Sequence, residues 1–283
     1  MAAKILRTAK EARAFAEEAR RKGSFALVPT MGFLHDGHLS LIREGKRRAQ
    51  TVAVSIFVNP TQFGPKEDLS RYPRDFEGDV KKCESAGADA IFAPESAEVY
   101  PEGAQTWVEV TEVSQGLDGD KRPGHFRGVA TVVTKLFNLF RPHVALFGEK
   151  DYQQLQVITA LARDLLLGIE VVGMPTIRES DGLAMSSRNS YLTPDERARA
   201  TAISRGLFGA QSKLKSGTRD IAQLQAVVRD ELQRAQIRED YVEIVDARTL
   251  KPIASVAPGI RARMLVAGFL GTTRLIDNVP LDG

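Results

Sequence analysis

The chain has 283 residues, 43% hydrophobic and 27% charged, enough to bury a sizeable core in one large or two moderate domains. Its 39 Lys and Arg nearly balance 36 Asp and Glu, and the net charge of +3 with a short Lys46-Arg47-Arg48 run gives no electrostatic footprint for nucleic acid. A single cysteine, Cys83, excludes an intrachain disulfide and fits a reducing compartment. No stretch approaches the ~20 apolar residues of a membrane span and no apolar leader follows Met1, so a cytoplasmic location with no membrane partner is expected.

Taken in chain order, periodicity predicts a helix at 9–21, a strand at 25–29, a helix at 39–49, a strand at 51–58, a helix at 74–86 and a strand at 90–93. A strand at 107–110, a helix at 128–140, a strand at 144–147, a helix at 152–166 and a strand at Glu170–Met174 follow. Most of these strands are continuous apolar or β-branched runs, as a sheet covered on both faces requires. Their alternation with helices gives the fold class: α/β, a Rossmann-like doubly wound parallel sheet. The longest irregular segment is 116–124. Composition shifts after about Pro175. Thr193-Pro194-Asp195-Glu196 has the chemistry of a capped helix start. Two charged amphipathic helices, 197–213 and 219–236, and strands at 241–246, 263–269 and 274–276 make a smaller C-terminal α+β domain. The expected division is 1–176 and 177–283.

Polar residues cluster where a parallel sheet binds ligands, beyond the carboxyl ends of its strands. The first cluster is Met31-Gly32-Phe33-Leu34-His35-Asp36-Gly37-His38, which holds two of the chain's four histidines. Histidines at i and i+3 share one face of a helix start, where unpaired N–H groups and the dipole suit a phosphate. Alone, such a pair is more often surface decoration or a capping feature than a site. Zinc fits poorly, because helical zinc sites use i and i+4 plus a third ligand, and neither His125 nor His143 has a second ligand nearby. Phe57–Gly64, Gly148–Gln154 and Asp181–Asn189 are the other three loops.

These four loops, in this order, carry a resemblance over essentially the whole chain. Met31–His38 resembles the His-x-Gly-His signature of the nucleotidyltransferase superfamily, and Met185-Ser186-Ser187-Arg188 resembles its second signature loop. Phe57-Val58-Asn59-Pro60-Thr61-Gln62-Phe63-Gly64 and Gly148-Glu149-Lys150-Asp151-Tyr152-Gln153-Gln154 narrow the likeness to the pantoate–β-alanine ligases. The resemblance implies ATP-dependent condensation of (R)-pantoate with β-alanine through a pantoyl adenylate, with magnesium accompanying ATP, in a homodimer. It makes 1–176 the nucleotide- and pantoate-binding domain and 177–283 a lid. It further implies that His35, His38, Lys150, Ser186, Ser187 and Arg188 act on the phosphates, His38 being the better proton or hydrogen donor. Met31, Gly32, Phe33, Leu34, Asp36, Gly37, Gly148, Glu149 and Asp151 would line the nucleotide, with Ile177 and Met185 along the adenine. Gln62 and Gln154 would hold pantoate, with Asn59 helping and Val132 and Val133 around its methyl groups. For Val132 and Val133 a plain core role is equally compatible. No protein metal ligand is implied. An adenylyltransferase that stops at AMP transfer would need a second cationic pocket, which Asn59 and Gln62 do not offer. A nucleotide- or RNA-binding module would bind without turnover.

Overall fold

The computed structural model describes residues 2–65 and 67–282. Its contacts divide the chain into two units, 1–149 with 153–175, and 150–152 with 176–283. The three residues 150–152 thus count with the second unit.

The first unit is built on six parallel strands: β1 Lys4–Leu6, β2 Phe25–Thr30, β3 Thr51–Ile56, β4 Ala90–Phe92, β5 Val144–Gly148 and β6 Glu170–Met174. Their order is β1-β4-β3-β2-β5-β6. β2 pairs with β3 from Phe25↔Thr51 to Thr30↔Ile56 and with β5 at Ala26↔Val144 and Leu27↔Ala145. Alternate residues feed two layers. Ala26, Val28, Val52, Val54, Ile91 and Leu146 join one core with Leu39 and Ile42 of the helix Asp36–Arg48. On Phe25 and Phe92 of the sheet packs Phe140 of the helix His125–Phe140, with ring centroids 6.1 and 5.5 Å away. The order reverses between β2 and β5, and at such a switch point a crevice opens beyond the carboxyl ends.

Two strand expectations are corrected. Residues 107–110 have the alternation of a strand but form no ladder among the described residues. The Val108 N–H goes instead to Thr131 Oγ1 at 3.0 Å, and exposed Trp107 stacks on Tyr100 under the Arg127 guanidinium. β propensity describes a fit to a neighbouring strand, and this segment finds a helix. β1 is an addition to the expected set, since its three residues are too few to show a period. The segment 116–124 contains a short helix, Leu117–Lys121.

The second unit is an antiparallel meander, β7 Arg238–Asp246, β8 Arg261–Leu270 and β9 Thr273–Asp282, with helices Pro194–Ala200, Ala202–Lys215 and Ile221–Arg234. Thr193 caps its helix as expected, in a reciprocal box with Glu196 and with Pro194 at the first position. The expected helix 197–213 is interrupted at Thr201. β9 runs far past 274–276, because buried Asp277 and Asn278 break the apolar pattern while staying in the ladder. Both are paired: Arg178 makes two bonds to Asp277 at 2.6 and 2.9 Å, and Arg263 donates to Asn278 at 2.7 Å.

Candidate active site

His35 is the N-cap of the helix Asp36–Arg48, and the two histidines cap each other's backbone. His35 Nδ1 accepts from the Gly37 N–H at 3.2 Å, and His38 Nδ1 accepts from the His35 N–H at 3.3 Å. Backbone N–H groups only donate, so both Nδ1 atoms are acceptors. In each neutral ring the proton therefore sits on Nε2. The rings lie 4.1 Å apart between centroids. Gly37 is needed for this arrangement, since a Cβ there would lie 2.9 Å from the His35 ring. The helix start beyond the switch point therefore carries two N–H donors of fixed tautomer, added to its own dipole.

The turn before it is clamped from the helix Phe76–Ala86. Asp79, 1% exposed, accepts from the N–H groups of Phe33 and Leu34, both at 2.7 Å. Lys82 donates to the Leu34 carbonyl at 2.8 Å. Burial raises the Asp79 pKa against the opposing pull of those two N–H groups and Lys82. Gly32 at φ +83° and Phe33 at φ +48° make a left-handed turn, and a Cβ on Gly32 would come 3.0 Å from Asp79 Oδ2. The clamp holds a backbone shape that a phenylalanine adopts only at a cost of roughly 1 kcal/mol or more.

Asn59 and Gln62, both buried, follow β3. Asn59 Oδ1 accepts from the Thr61 N–H, and its Nδ2 donates to the Gly128 carbonyl at 3.2 Å, so the orientation of this amide is fixed by backbone groups. Its Nδ2 also donates to Gln62 Oε1 at 3.0 Å. The Gln62 Nε2 is thereby turned the other way and lies 3.2 Å from the Met31 sulfur, a weak acceptor that a ligand oxygen would outcompete. Asn59 has spent its polar atoms on the protein, so Gln62 alone of the two presents a donor.

Gly148 ends β5, paired with Met174 of β6, and a Cβ there would meet nothing within 4 Å. Glu149 follows in a 3₁₀ turn. Gln153 is a staple: it accepts from the Asp118 N–H and donates to the carbonyls of Val113, Gln115 and Gly116. Its neighbour Gln154 is half-buried, while Val132 and Val133 are buried at 7% and 4% exposure. A cavity of about 330 Å³ opens beside Met31, Gly32 and Phe33, lined also by Arg7, Arg74 and Glu95. Asp79 lines it as well, whereas His35, His38 and Gln62 do not.

In the second unit, Ile177 and Met185 face each other across a tight turn, with the Met185 N–H on the Ile177 carbonyl at 3.0 Å. Arg178, held by Asp277, donates to the Gly182 carbonyl, and Arg197 binds Asp181 and Glu179 at 2.7 and 2.5 Å. Ser186 caps the 3₁₀ turn Ser187–Tyr191 by accepting from the Arg188 N–H, and Asn189 ties that turn to Glu179 and Ala184. Lys150 belongs to the same unit. Asn278 donates to its carbonyl at 2.8 Å, its ammonium is 3.8 Å from Asp151, and it lines a small cavity with Ser186 and Asn189. Lys150, Ser186, Ser187 and Arg188 are thus carried on one scaffold.

Nothing in the sequence marks the supporting residues Asp79, Lys82, Arg178 and Asp277. Each is an ordinary charged residue whose partner is remote in the chain, so no local spacing reveals it. His125, which has no nearby ligand in sequence, proves buried beside Gln62.

A family model described as pantoate-beta-alanine ligase matches residues 4–280. A pantothenate synthetase of Myxococcus xanthus is 70% identical over 285 residues, covering 100% of this chain and 98% of that protein. One of Geobacter sulfurreducens is 51% identical, covering 98% of each. The crystal structure of a pantothenate synthetase from Thermus thermophilus superposes with a TM-score of 0.94 at 44% identity, over 99% of this chain and 100% of that one. A pantoate-beta-alanine ligase from Francisella tularensis, described as complexed with beta-gamma ATP and beta-alanine, gives 0.80 at 31% identity, over 98% and 97%. With its loops, its sheet order and its whole length matched in this way, the chain belongs to the pantoate–β-alanine ligase family.

Proposed function

We propose a division of labour among this chain's residues for the family's reaction, the ATP-dependent ligation of (R)-pantoate to β-alanine. The pantoate carboxylate attacks the α-phosphorus of ATP and pyrophosphate leaves; the β-alanine amine then attacks the acyl carbon of the adenylate and AMP leaves. Adenylation turns a poor acyl donor into a good one, and the main task of the protein is to neutralise charge that shifts between phosphate oxygens.

His35 and His38 supply two Nε2–H donors at a helix start, with His38 donating as pyrophosphate departs. Gln62 directs its Nε2–H group at a pantoate oxygen, with Asn59 holding that amide in place rather than touching the ligand. Gln154 serves as the second pantoate contact, and Val132 and Val133 supply apolar wall. Gly148, Glu149 and the Met31–Gly37 turn line the nucleotide, with Asp151 a polar contact to its ribose. In the second unit Lys150, Ser186, Ser187 and Arg188 offer two cations and two hydroxyls to the β- and γ-phosphates, and Ile177 and Met185 an apolar face for adenine.

Among the described residues no cluster of three or more His, Cys, Asp or Glu forms a metal site. A magnesium ion accompanying ATP would take its ligands mainly from phosphate oxygens, with the Ser186 and Ser187 hydroxyls as the oxygens this loop could add, since Lys150 and Arg188 only donate. When bound, it adds positive charge there. Among the described residues no helix is long and apolar enough to cross a membrane. We place the enzyme in the cytoplasm as a homodimer, for which light scattering should give twice the 31.0 kDa chain mass.

The observation that carries these assignments is the locked pair of imidazoles at the switch point. His38→Ala should lower turnover at least ~100-fold, the usual scale for a proton-transfer or charge-stabilising group, with its circular dichroism unchanged. Undiminished turnover in that variant would remove the assigned role.

A further inference from the structure

Gln62 is held from two sides. Asn59 sets its side chain. Its main chain is set by a relay centred on buried His125, outside the residues already assigned. His125 Nδ1 lies 2.8 Å from the Gln62 carbonyl oxygen, and His125 Nε2 lies 2.9 Å from Arg122 Nη1. A carbonyl can only accept and a guanidinium can only donate, so the proton sits on Nδ1 and the ring is neutral. Arg122 is itself fixed by a forked pair of bonds to Glu67, Nε to Oε1 at 2.7 Å and Nη2 to Oε2 at 2.8 Å. Glu67 returns to the loop of Gln62 through its N–H on the Gly64 carbonyl at 3.0 Å. The relay thus joins Gln62 and Glu67 to the start of the helix His125–Phe140.

At Gly128 the helix and the turn also meet backbone against backbone. A Cβ on Gly128 would lie 2.3 Å from the Thr61 carbonyl oxygen. Any displacement at His125 is therefore passed to Gln62 rather than absorbed by a side chain. Burial, the largest influence on the Glu67 carboxyl, raises its pKa, but the hydrogen bonds to Arg122 and the Arg122 charge outweigh it and leave it lowered. The ion pair is therefore intact at neutral pH, with Asp118 the other acid near the imidazole.

We propose that Glu67, Arg122 and His125 are positioning residues for pantoate, acting through the Gln62 main chain to aim its side-chain N–H at the ligand; this rests on the assignment of Gln62 to pantoate. Specificity for the acid would then depend on three side chains that do not touch it.

The test measures KM for pantoate and for ATP by pyrophosphate release with β-alanine present. His125→Leu should raise the pantoate KM roughly tenfold, the scale of one buried hydrogen bond, with the ATP KM unchanged. His125→Asn, whose Nδ2 can replace Nδ1 as donor to the carbonyl, should recover most of the loss. Glu67→Gln, nearly isosteric, should raise the pantoate KM by roughly threefold and carries the test if His125→Leu does not fold. In a Gln62→Ala background, His125→Leu should add less than about twofold, because residues acting through one contact are not additive. A Gln62→Ala variant with unchanged pantoate KM would overturn the assignment of Gln62 itself. A raised KM in Gln62→Ala, with full multiplication by His125→Leu or no effect of either His125→Leu or Glu67→Gln, would overturn the relay alone.

Discussion

A histidine at an N-cap does two jobs here, and substitution can separate them. His35 supplies the acceptor that any Asn or Asp could supply, and an Nε2–H that neither could. His35→Asn should therefore keep the melting temperature within a few degrees of the parent while turnover falls at least ~100-fold. A fully active His35→Asn variant would reduce this histidine to a cap. Asp79 carries a different load. An amide at that position offers one acceptor oxygen to two buried N–H groups, so Asp79→Asn should cost about 1–3 kcal/mol in urea unfolding. Cys83 bears on none of this. Burial, with Asp79 and Glu84 nearby, pushes its thiol up to about 12, so it should resist alkylation at pH 8 in the folded enzyme. His125 brings a pH dependence. Burial, and then the Arg122 charge, hold it down to about 4 from an ordinary 6.5. Between those values the unfolded chain takes up a proton that the fold refuses. The stability contributed by neutral His125 is thus intact above pH 6.5 and is lost as pH falls toward 4, about 3 kcal/mol in all. Urea midpoints should fall between pH 7 and 5 and should fall less in His125→Asn; equal slopes in the two proteins would contradict this.

At the scale of elements, loops from separate strands are aligned by the parallel register, and that much was legible in the sequence. Continuous apolar runs mark β2, β3 and β5, and polar clusters follow them at the edge where a parallel sheet binds ligands. Residues 107–110 and β9 mislead for opposite reasons. The first alternates like a strand but pairs with no other strand among the described residues. The second is a full strand whose buried Asp277 and Asn278 break the pattern, because their compensating arginines are remote in sequence. The same remoteness hides the Glu67–Arg122 and Arg178–Asp277 pairs. Removing one member of a buried ion pair is costly. Asp277→Ala should lower stability by about 3 kcal/mol, and, by loosening the turn that presents Met185 to Arg188, should raise the KM for ATP more than that for pantoate. Equal changes in both would separate Asp277 from the phosphate loop.

At the scale of the whole molecule, two units each bring a coherent chemistry. The sheet unit offers fixed imidazole and amide donors at its switch point. The meander unit carries Lys150 with Ser186, Ser187 and Arg188. The resemblance of four loops, not the physics of any one, named the acid and the amine. The hydrogen-bond geometry adds which atoms of His35, His38 and Gln62 the protein itself engages, and with which partners. If these donors serve an adenylating ligase, the most direct measurement is AMP release with one reactant withheld at a time. The assignments predict AMP only when ATP, magnesium, pantoate and β-alanine are all present, and its near-complete loss in His38→Ala. AMP formed at the full rate without β-alanine, or no AMP with all four, would contradict them.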